Sequence, residues 1–386
     1  MTATIVLNNI DPRTLGKILR DARKKCGMKQ SDVAKIIYIA RTTLVAIEKG
    51  QRAVKASELN ELARLYGRSV SEFVRDRPAI QPFNIHFRTV YQCNKGEEVQ
   101  LKPIILRLED LCRNYLELEE IVSAPISRNY PPEQDVTNLP PKALAQSIAI
   151  AERRRLGLGD SPISRLREVL EQDVGLRIFY LDMPPKYLGV YIYDDLLGGC
   201  MAINANHSEE RQRWSIARQY LHFLVHRRKA VLDIEGKYQR ISEGDRLAES
   251  FAKHFLMPTS NLCEQFYNMC RAHGKFTPVH LFTLAHYYGV SAETLACRLE
   301  GMDLVVAGTC EQLRDLGLKI KNVQHELGAG VQQCIDTFPI HYQYLAIEAL
   351  DQGLITETRF CDYLNVDRLE ARRIAAVLRD DSIATT

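Results

Sequence analysis

The 386-residue chain contains no C-x-x-C pair, no phosphate loop of the G-x-x-x-x-G-K-[ST] type and no strand-linked G-x-G-x-x-G. Zinc ribbons and the common nucleotide-binding loops are thereby excluded. Its serines, histidines and aspartates share no nucleophile-elbow spacing. A run of about 18 apolar residues, the length needed to cross a bilayer, is also missing. The first residues, MTATIVLNNIDPRT, lack a basic segment followed by an apolar core, so the expected location is the cytoplasm, with no membrane partner. The ten cysteines are scattered. In a chain long enough to build a large core they read as reduced, mostly buried thiols.

Hydrophobic residues make up 46% and charged residues 26%, values of an ordinary globular protein, and the net charge is only +3. That figure hides an uneven distribution. Residues 1–78 carry 16 basic and 8 acidic side chains, whereas the other 308 carry 35 and 40. A basic binding module attached to a mildly acidic body is the reading this asymmetry supports.

The fold class expected is mainly α with a small antiparallel sheet, α+β overall. Residues 1–78 read as a set of short helices. Residues 79–141 read as a linker containing one long amphipathic helix after Pro103 and a crossing with five prolines between 123 and 142. Helices resume near 142–156 and 161–173. Strand signals cluster between 175 and 206, in GLRIFYLDM, YLGVYIYDD and GGCMAINAN. From Ser208 onward the pattern is helical, with a body at 142–300 and a helical C-terminal domain at 301–386. Helices are expected there near 310–316 and 331–335 among others.

The segment KQSDVAKIIYIARTTLVAIEKGQR (29–52) has the rhythm of a helix-turn-helix. Val33, Ala34 and Ile37 face the core from the first helix, and Leu44 and Ile47 from the second. Arg41, Thr42, Thr43 and Val45 are left outward, groups suited to the hydrogen-bond pattern of a major groove. Gln30 and Ser31 at the preceding helix start fit one phosphate contact, and Lys49, Gln51 and Arg52 another. Together with LxxLARLYGRSVSEF (59–73), the Gln30, Ala34, Leu44 and Ile47-Glu48-Lys49-Gly50 positions resemble the Cro/C1-type, XRE-like helix-turn-helix family. The resemblance implies a five-helix domain that binds double-stranded DNA as a dimer on an inverted repeat. Two departures are visible. Tyr38 stands where the family commonly has a turn glycine, and Ala40 replaces the usual Ser/Thr cap at a cost of ~1 kcal/mol.

In the body, RQRWSIARQYLHFLVH (211–226) follows a strand, and RLAESFAKHFLMP (246–258) follows it. With ERRRLGLG (152–159) and LAHYYGVSAETLACRL (284–299), they resemble the ImmA/IrrE family of zincin-like metallopeptidases. That family's helix reads A-H-E-x-x-H, two zinc ligands and a general base. Here the matching run is Ala217-Arg218-Gln219-Tyr220-Leu221-His222. Arg218 puts a fixed cation at the first ligand, Gln219 cannot accept a proton near neutral pH, and only His222 survives. The third ligand aligns with Asp245. The resemblance therefore implies a pseudo-protease with no catalytic residue, no metal and no cofactor, in which Arg218 pairs with Asp245.

Other features carry less. His222 and His226, with Asp245 or His254, could form a metal group, but a helix with one buried and one surface histidine is the simpler account. HELGAG (325–330) has only the first half of a zinc motif. Arg153-Arg154-Arg155 reads as a solvated helix face, and the aromatics Phe179, Tyr180, Tyr187, Tyr191 and Tyr193 as sheet packing.

The function expected is that of a DNA-binding transcription regulator, a repressor and homodimer. Its long helix would connect or dimerise the DNA-binding domains, and its body would sense a small-molecule or protein effector or supply the oligomer interface. The alternatives are an active zinc metalloprotease with unorthodox ligands that cleaves a repressor, and a phage-defence adaptor whose DNA binding is autoregulatory.

Overall fold

The computed structural model describes residues 11–66, 70–74, 82–87, 98–134, 141–235, 243–312 and 337–379. They fall into two compact units, Met1–Pro78 and Ala79–Thr386.

The first unit contains α1 (Pro12–Lys25), α2 (Gln30–Ile36), α3 (Arg41–Glu48), α4 (Ala56–Leu65) and α5 (Val70–Val74), the five helices expected. Asp11 starts α1 by accepting from the backbone of Arg13 and Thr14, and Pro12 occupies the first turn, where no N–H is needed. Leu19, Val33, Leu44, Ile47, Leu62 and Phe73 are fully buried and form the core. Gly50 ends α3 with φ +67°, and a Cβ there would stand 2.4 Å from the Arg13 Cα, so only glycine lets α3 close on α1.

The second unit contains α6 (Phe83–His86), α7 (Glu98–Val122), α8 (Pro141–Arg155) and α9 (Leu166–Val169), the last running into a π-helical turn at Leu170–Val174. Strands β1 (Arg177–Leu181), β2 (Tyr187–Asp194) and β3 (Gly198–Asn204) follow, then α10 (Glu209–Val225), β4 (Val231–Ile234) and α11 (Glu243–Leu256). The chain continues as α12 (Thr259–His273), α13 (Pro278–Tyr288), α14 (Ala292–Glu300), α15 (Ile340–Asp351), α16 (Glu357–Leu364) and α17 (Arg368–Arg379).

The sheet order is β1-β3-β2-β4. It is mixed rather than antiparallel, because β1 runs parallel to β3 while β2 pairs antiparallel with β3 and β4. β4 is a strand that the sequence did not announce. The β2–β3 turn is held by Asp194, whose Oδ1 accepts from the Leu196 and Leu197 N–H groups at 2.8 and 3.1 Å.

Both faces of the sheet are covered, so its strands are apolar almost throughout. Met201 and Ile203 of β3 pack toward α8, α10 and α11, while Cys200 and Ala202 pack toward α7 and α15. The helix expected to link the two domains is thus part of the body's core: Leu101, Ile105, Leu108, Leu111, Tyr115 and Leu118 of α7 are fully buried. α7 also begins before Pro103 and runs through it. The proline falls in the second turn, where it removes the bond that an N–H would make to the Val99 carbonyl. The C-terminal helices α15 and α16 share this core and do not form a separate cluster.

Of the aromatic set, Phe179, Tyr187 and Tyr191 are fully buried in the sheet. Arg153 is not on a solvated face: it is 4% exposed and donates to the Gly159 and Phe255 carbonyls at 2.8 and 2.5 Å. Cys297 and Cys310 are joined in a disulfide, with Cα atoms 5.2 Å apart, so the reading of all ten cysteines as free thiols fails at this pair. HELGAG (325–330), the helix near 331–335 and the end of that near 310–316 lie outside the described residues.

Candidate functional site

In the first unit, Arg23 of α1 forms a two-point ion pair with the buried Glu48 of α3, at 2.6 and 3.0 Å, and also donates to the Met28 carbonyl at 2.8 Å. Gln30 joins this network by donating to Glu48 at 2.7 Å. α3 is thereby clamped between α1 and α2, which fixes the direction of its exposed face. Tyr38, in the turn between α2 and α3, adopts φ +56° and is 95% exposed. The left-handed turn expected from the family pattern is therefore made by a tyrosine. Ala40 precedes α3 without a side-chain cap.

A concave face of about 630 Å³ opens between these helices, and Lys29, Ser31, Arg41 and Lys49 line it together with Arg20 and Lys24. Gln30 and Val45 also belong to its lining, whereas Thr42, Thr43, Gln51 and Arg52 do not. Arg52 is instead held by Glu58 through bonds of 3.0 and 2.9 Å. Arg20 and Lys24 are additional to the residues that the helix-turn-helix pattern singles out. Their signal was present: they are four residues apart on one helix, so they share a face.

In the body, α10 is buried along almost all its length, including Gln212, Arg213, Gln219 and His222. Gln212 donates to the Asn204, Ala205 and His207 carbonyls, and Arg213 to those of Ile163, Ser164 and Gly289. These bonds fix the helix between sheet and bundle. One turn on, Arg218 reaches Asp233 of β4, with Nε 3.0 Å from Oδ2, and stands 3.9 Å from Asp245 of α11. The Arg218 N–H is not aligned on the Asp233 oxygen, so the contact is ionic rather than a well-formed hydrogen bond. Asp233 is the nearer partner and the more buried one; the sequence pointed only to Asp245, which is 43% exposed. Burial raises the Asp233 carboxyl above its ordinary value, and Arg218 opposes that rise.

Gln219 is fully buried, and neither its Nε2 nor its Oε1 has a hydrogen-bond partner among the described residues; the same holds for Nδ1 of His222. Burial lowers the His222 imidazole to about 4, with Arg218 adding to the effect and Asp245 opposing it. Near neutral pH this histidine is uncharged. His254 is committed elsewhere, with Nδ1 on the Ser250 carbonyl at 2.8 Å and Nε2 on Arg298 at 3.1 Å. His226 ends α10 and is half-buried. Among the described residues, His222, Asp233 and Asp245 do not bring three donor atoms together as a metal group would.

Comparison with known proteins agrees with both resemblances and their order. Residues 19–73 match the helix-turn-helix family, and residues 171–300 match the IrrE N-terminal-like domain of metallopeptidase-like proteins. The chain thus joins a DNA-binding helix-turn-helix domain of XRE type to an ImmA/IrrE-like domain. No curated protein matches the chain. A solved structure, ComR from Streptococcus suis, aligns over 97% of this chain and 91% of its own at 11% identity, with a TM-score of 0.17. A score that low bears on neither fold nor function. No helix among the described residues is long and apolar enough to cross a membrane.

Proposed function

We propose that this chain is a sequence-specific, DNA-binding transcription regulator, a cytoplasmic repressor acting as a homodimer on an inverted repeat. The observation that carries the reading is the concave face on which Arg20, Lys24, Lys29, Arg41 and Lys49 converge around α3. Five cations on one face match a phosphate backbone, and α3 presents Arg41 and Val45 where base edges would lie. Arg41 is the residue for base reading; Ser31 and Lys49 flank it as phosphate contacts. Thr42, Thr43, Gln51 and Arg52 lie off the concave face and make a smaller contribution.

The ImmA/IrrE-like body, in this reading, has lost its zinc and its peptidase chemistry and serves to sense a signal or to oligomerise. What supports this is the donor set. A guanidinium paired with Asp233 stands at the first ligand position and repels a dication. Gln219, in the place of the general base, has no proton-accepting power near neutral pH. His222 is the one remaining imidazole of the motif, and zinc does not fit a set with one histidine and a permanent cation.

Selection from random duplexes with the purified full chain tests the DNA reading. The expected result is an enriched palindromic motif whose affinity falls steeply with salt. Failure to enrich any motif, with binding insensitive to salt, would sink it. For the body, the paired change Arg218→His with Gln219→Glu is expected to create a zinc requirement that the parent chain lacks. Peptide cleavage by the unmodified chain, abolished by His222→Ala, would overturn the pseudo-protease reading.

A further inference from the structure

Cys297 and Glu300 lie one turn apart on α14, and Cys310 returns to the same place after the loop at 301–308. The sulfurs of the two cysteines and a carboxylate oxygen of Glu300 all lie within 4.8 Å of one another. Among the described residues this is the one group of three His, Cys, Asp or Glu donors that converges so closely. The loop is pinned back onto the helix: Gly301 N–H bonds to the Cys297 carbonyl at 3.1 Å, and Leu304 N–H to that of Leu299 at 3.0 Å. Leu295, Ala296, Leu299 and Cys310 are anchored in the core, and Met302 and Leu304 pack on it from the loop. The disulfide joins the two sulfurs, and these backbone bonds and core contacts hold the loop that carries Cys310 beside the helix of Glu300.

An independent observation points to a ligand. Oε1 of Glu300 is shut off from solvent and has no hydrogen-bond partner among the described residues. Native structures seldom leave a buried carboxylate oxygen in that condition without an ion or a water to meet it. Two sulfurs and one carboxylate oxygen are the donors that a thiophilic dication prefers, at about 2.3 Å for sulfur and about 2.0–2.2 Å for oxygen. Donors around one ion are separated by about 3.5–3.8 Å, so the two sulfurs, bonded to each other in the disulfide, must part on reduction to hold one.

We propose that Cys297, Cys310 and Glu300 form a binding site for a thiophilic divalent cation, zinc in the first instance, when the disulfide is reduced. A dithiol reductant supplies two electrons and two protons to the Cys297–Cys310 bond and leaves as its own cyclic disulfide. Cation binding then displaces the two thiol protons to solvent, and the Glu300 carboxylate supplies the third donor. Oxidation and cation binding exclude each other, because both use the same sulfur electrons. The site lies outside the His222 region, and its existence does not depend on the DNA reading.

The test uses the full chain, reduced and kept free of oxygen, titrated with Cd²⁺ as a spectroscopic stand-in for zinc. The expected result is a cadmium–thiolate charge-transfer band that saturates at one equivalent and disappears in Cys297→Ser and in Cys310→Ser. Glu300→Gln keeps both sulfurs and should weaken binding at least tenfold, so the outcome does not rest on cysteine variants that fail to fold. His222→Ala should leave the band unchanged. Alkylation mapped by mass spectrometry should show Cys297 and Cys310 protected by Cd²⁺ while Cys26 and Cys263 remain reactive. A band that survives in Cys310→Ser, equal affinity in Glu300→Gln, or a disulfide that resists the reductant would each overturn the proposal.

Discussion

Cationic side chains are disposed in opposite ways in the two units. In the first, Arg20, Lys24, Lys29, Arg41 and Lys49 open onto one concave face. In the second, Arg153, Arg177 and Arg213 are 4%, 0% and 8% exposed, and each is tied to backbone carbonyls or to a carboxylate inside the fold. Arg23 and Arg52 are exceptions in the first unit, the former spent on Glu48 to orient α3 and the latter held by Glu58. Counting arginines therefore says little about binding nucleic acid; what matters is whether the fold has already satisfied them. An arginine held by carbonyls is a structural strut, and one left facing solvent among others of its sign is available to a polyanion.

The largest effect that would break this contrast is at Arg177. Its Nη2 donates to both carboxylate oxygens of Glu119 of α7, at 2.6 and 2.8 Å, and the guanidinium lies 4.9 Å from the centre of the Tyr115 ring. Arg177→Met would leave the buried Glu119 carboxylate without its cation and should destabilise the body by about 3–5 kcal/mol. Replacing the pair together, Arg177→Met with Glu119→Leu, should recover most of that loss. Denaturant unfolding followed by the fluorescence of Trp214, the single tryptophan, reads the body selectively. A single variant within 1 kcal/mol of the parent would show that the pair is no strut.

The next effect concerns the body's buried imidazole. His222 is held at about 4 in the folded chain, below the ordinary 6.5. A depressed histidine contributes stability that is fully present above pH ~6.5 and lost as pH falls toward ~4, because the unfolded chain binds the proton first. The expected loss is about 2 kcal/mol between pH 7.5 and pH 5. His222→Gln should flatten this dependence in the same fluorescence assay. An identical pH profile in parent and variant would mean that His222 is not held neutral by burial, and the picture of an inward-facing, charge-averse α10 would fail.

How much of this was legible in the sequence depends on how local each feature is. The helix-turn-helix lies within 24 consecutive residues, and its apolar spacing, turn and outward face can all be read in order. The role of α7 could not, because Tyr115 packs on Tyr342 and His341 far along the chain, and periodicity shows that a helix is amphipathic without saying what covers it. Asp233 escaped for a similar reason: β4 is a four-residue strand with no alternation to betray it, and only the sheet register places it beside Arg218. Arg153 looked solvated because the carbonyls that satisfy it are invisible in a sequence. The convergence of Cys297 and Cys310 needs the fold of the intervening loop. That pair also changes how a metal assay is read, since one zinc per chain would not by itself identify His222 as its ligand.

The smallest effects lie on the DNA-facing side and separate reading from anchoring. Arg41 stands at the start of α3, so Arg41→Ala should cost about 1–3 kcal/mol on the preferred sequence and little on unrelated duplexes. Lys49 follows the end of the helix. Lys49→Ala should weaken binding to all duplexes alike and reduce the slope of log affinity against log salt by about 1. Arg52, already neutralised by Glu58, should change that slope much less when replaced by alanine. Lys49 and Arg52 are close in sequence and equal in charge, so composition predicts the same loss from each. A satisfied guanidinium releases fewer counterions on binding, which predicts unequal losses. Equal salt slopes for the two variants would mean that Arg52 leaves Glu58 for the phosphates, and that internal pairing in the free protein does not decide which cations meet DNA.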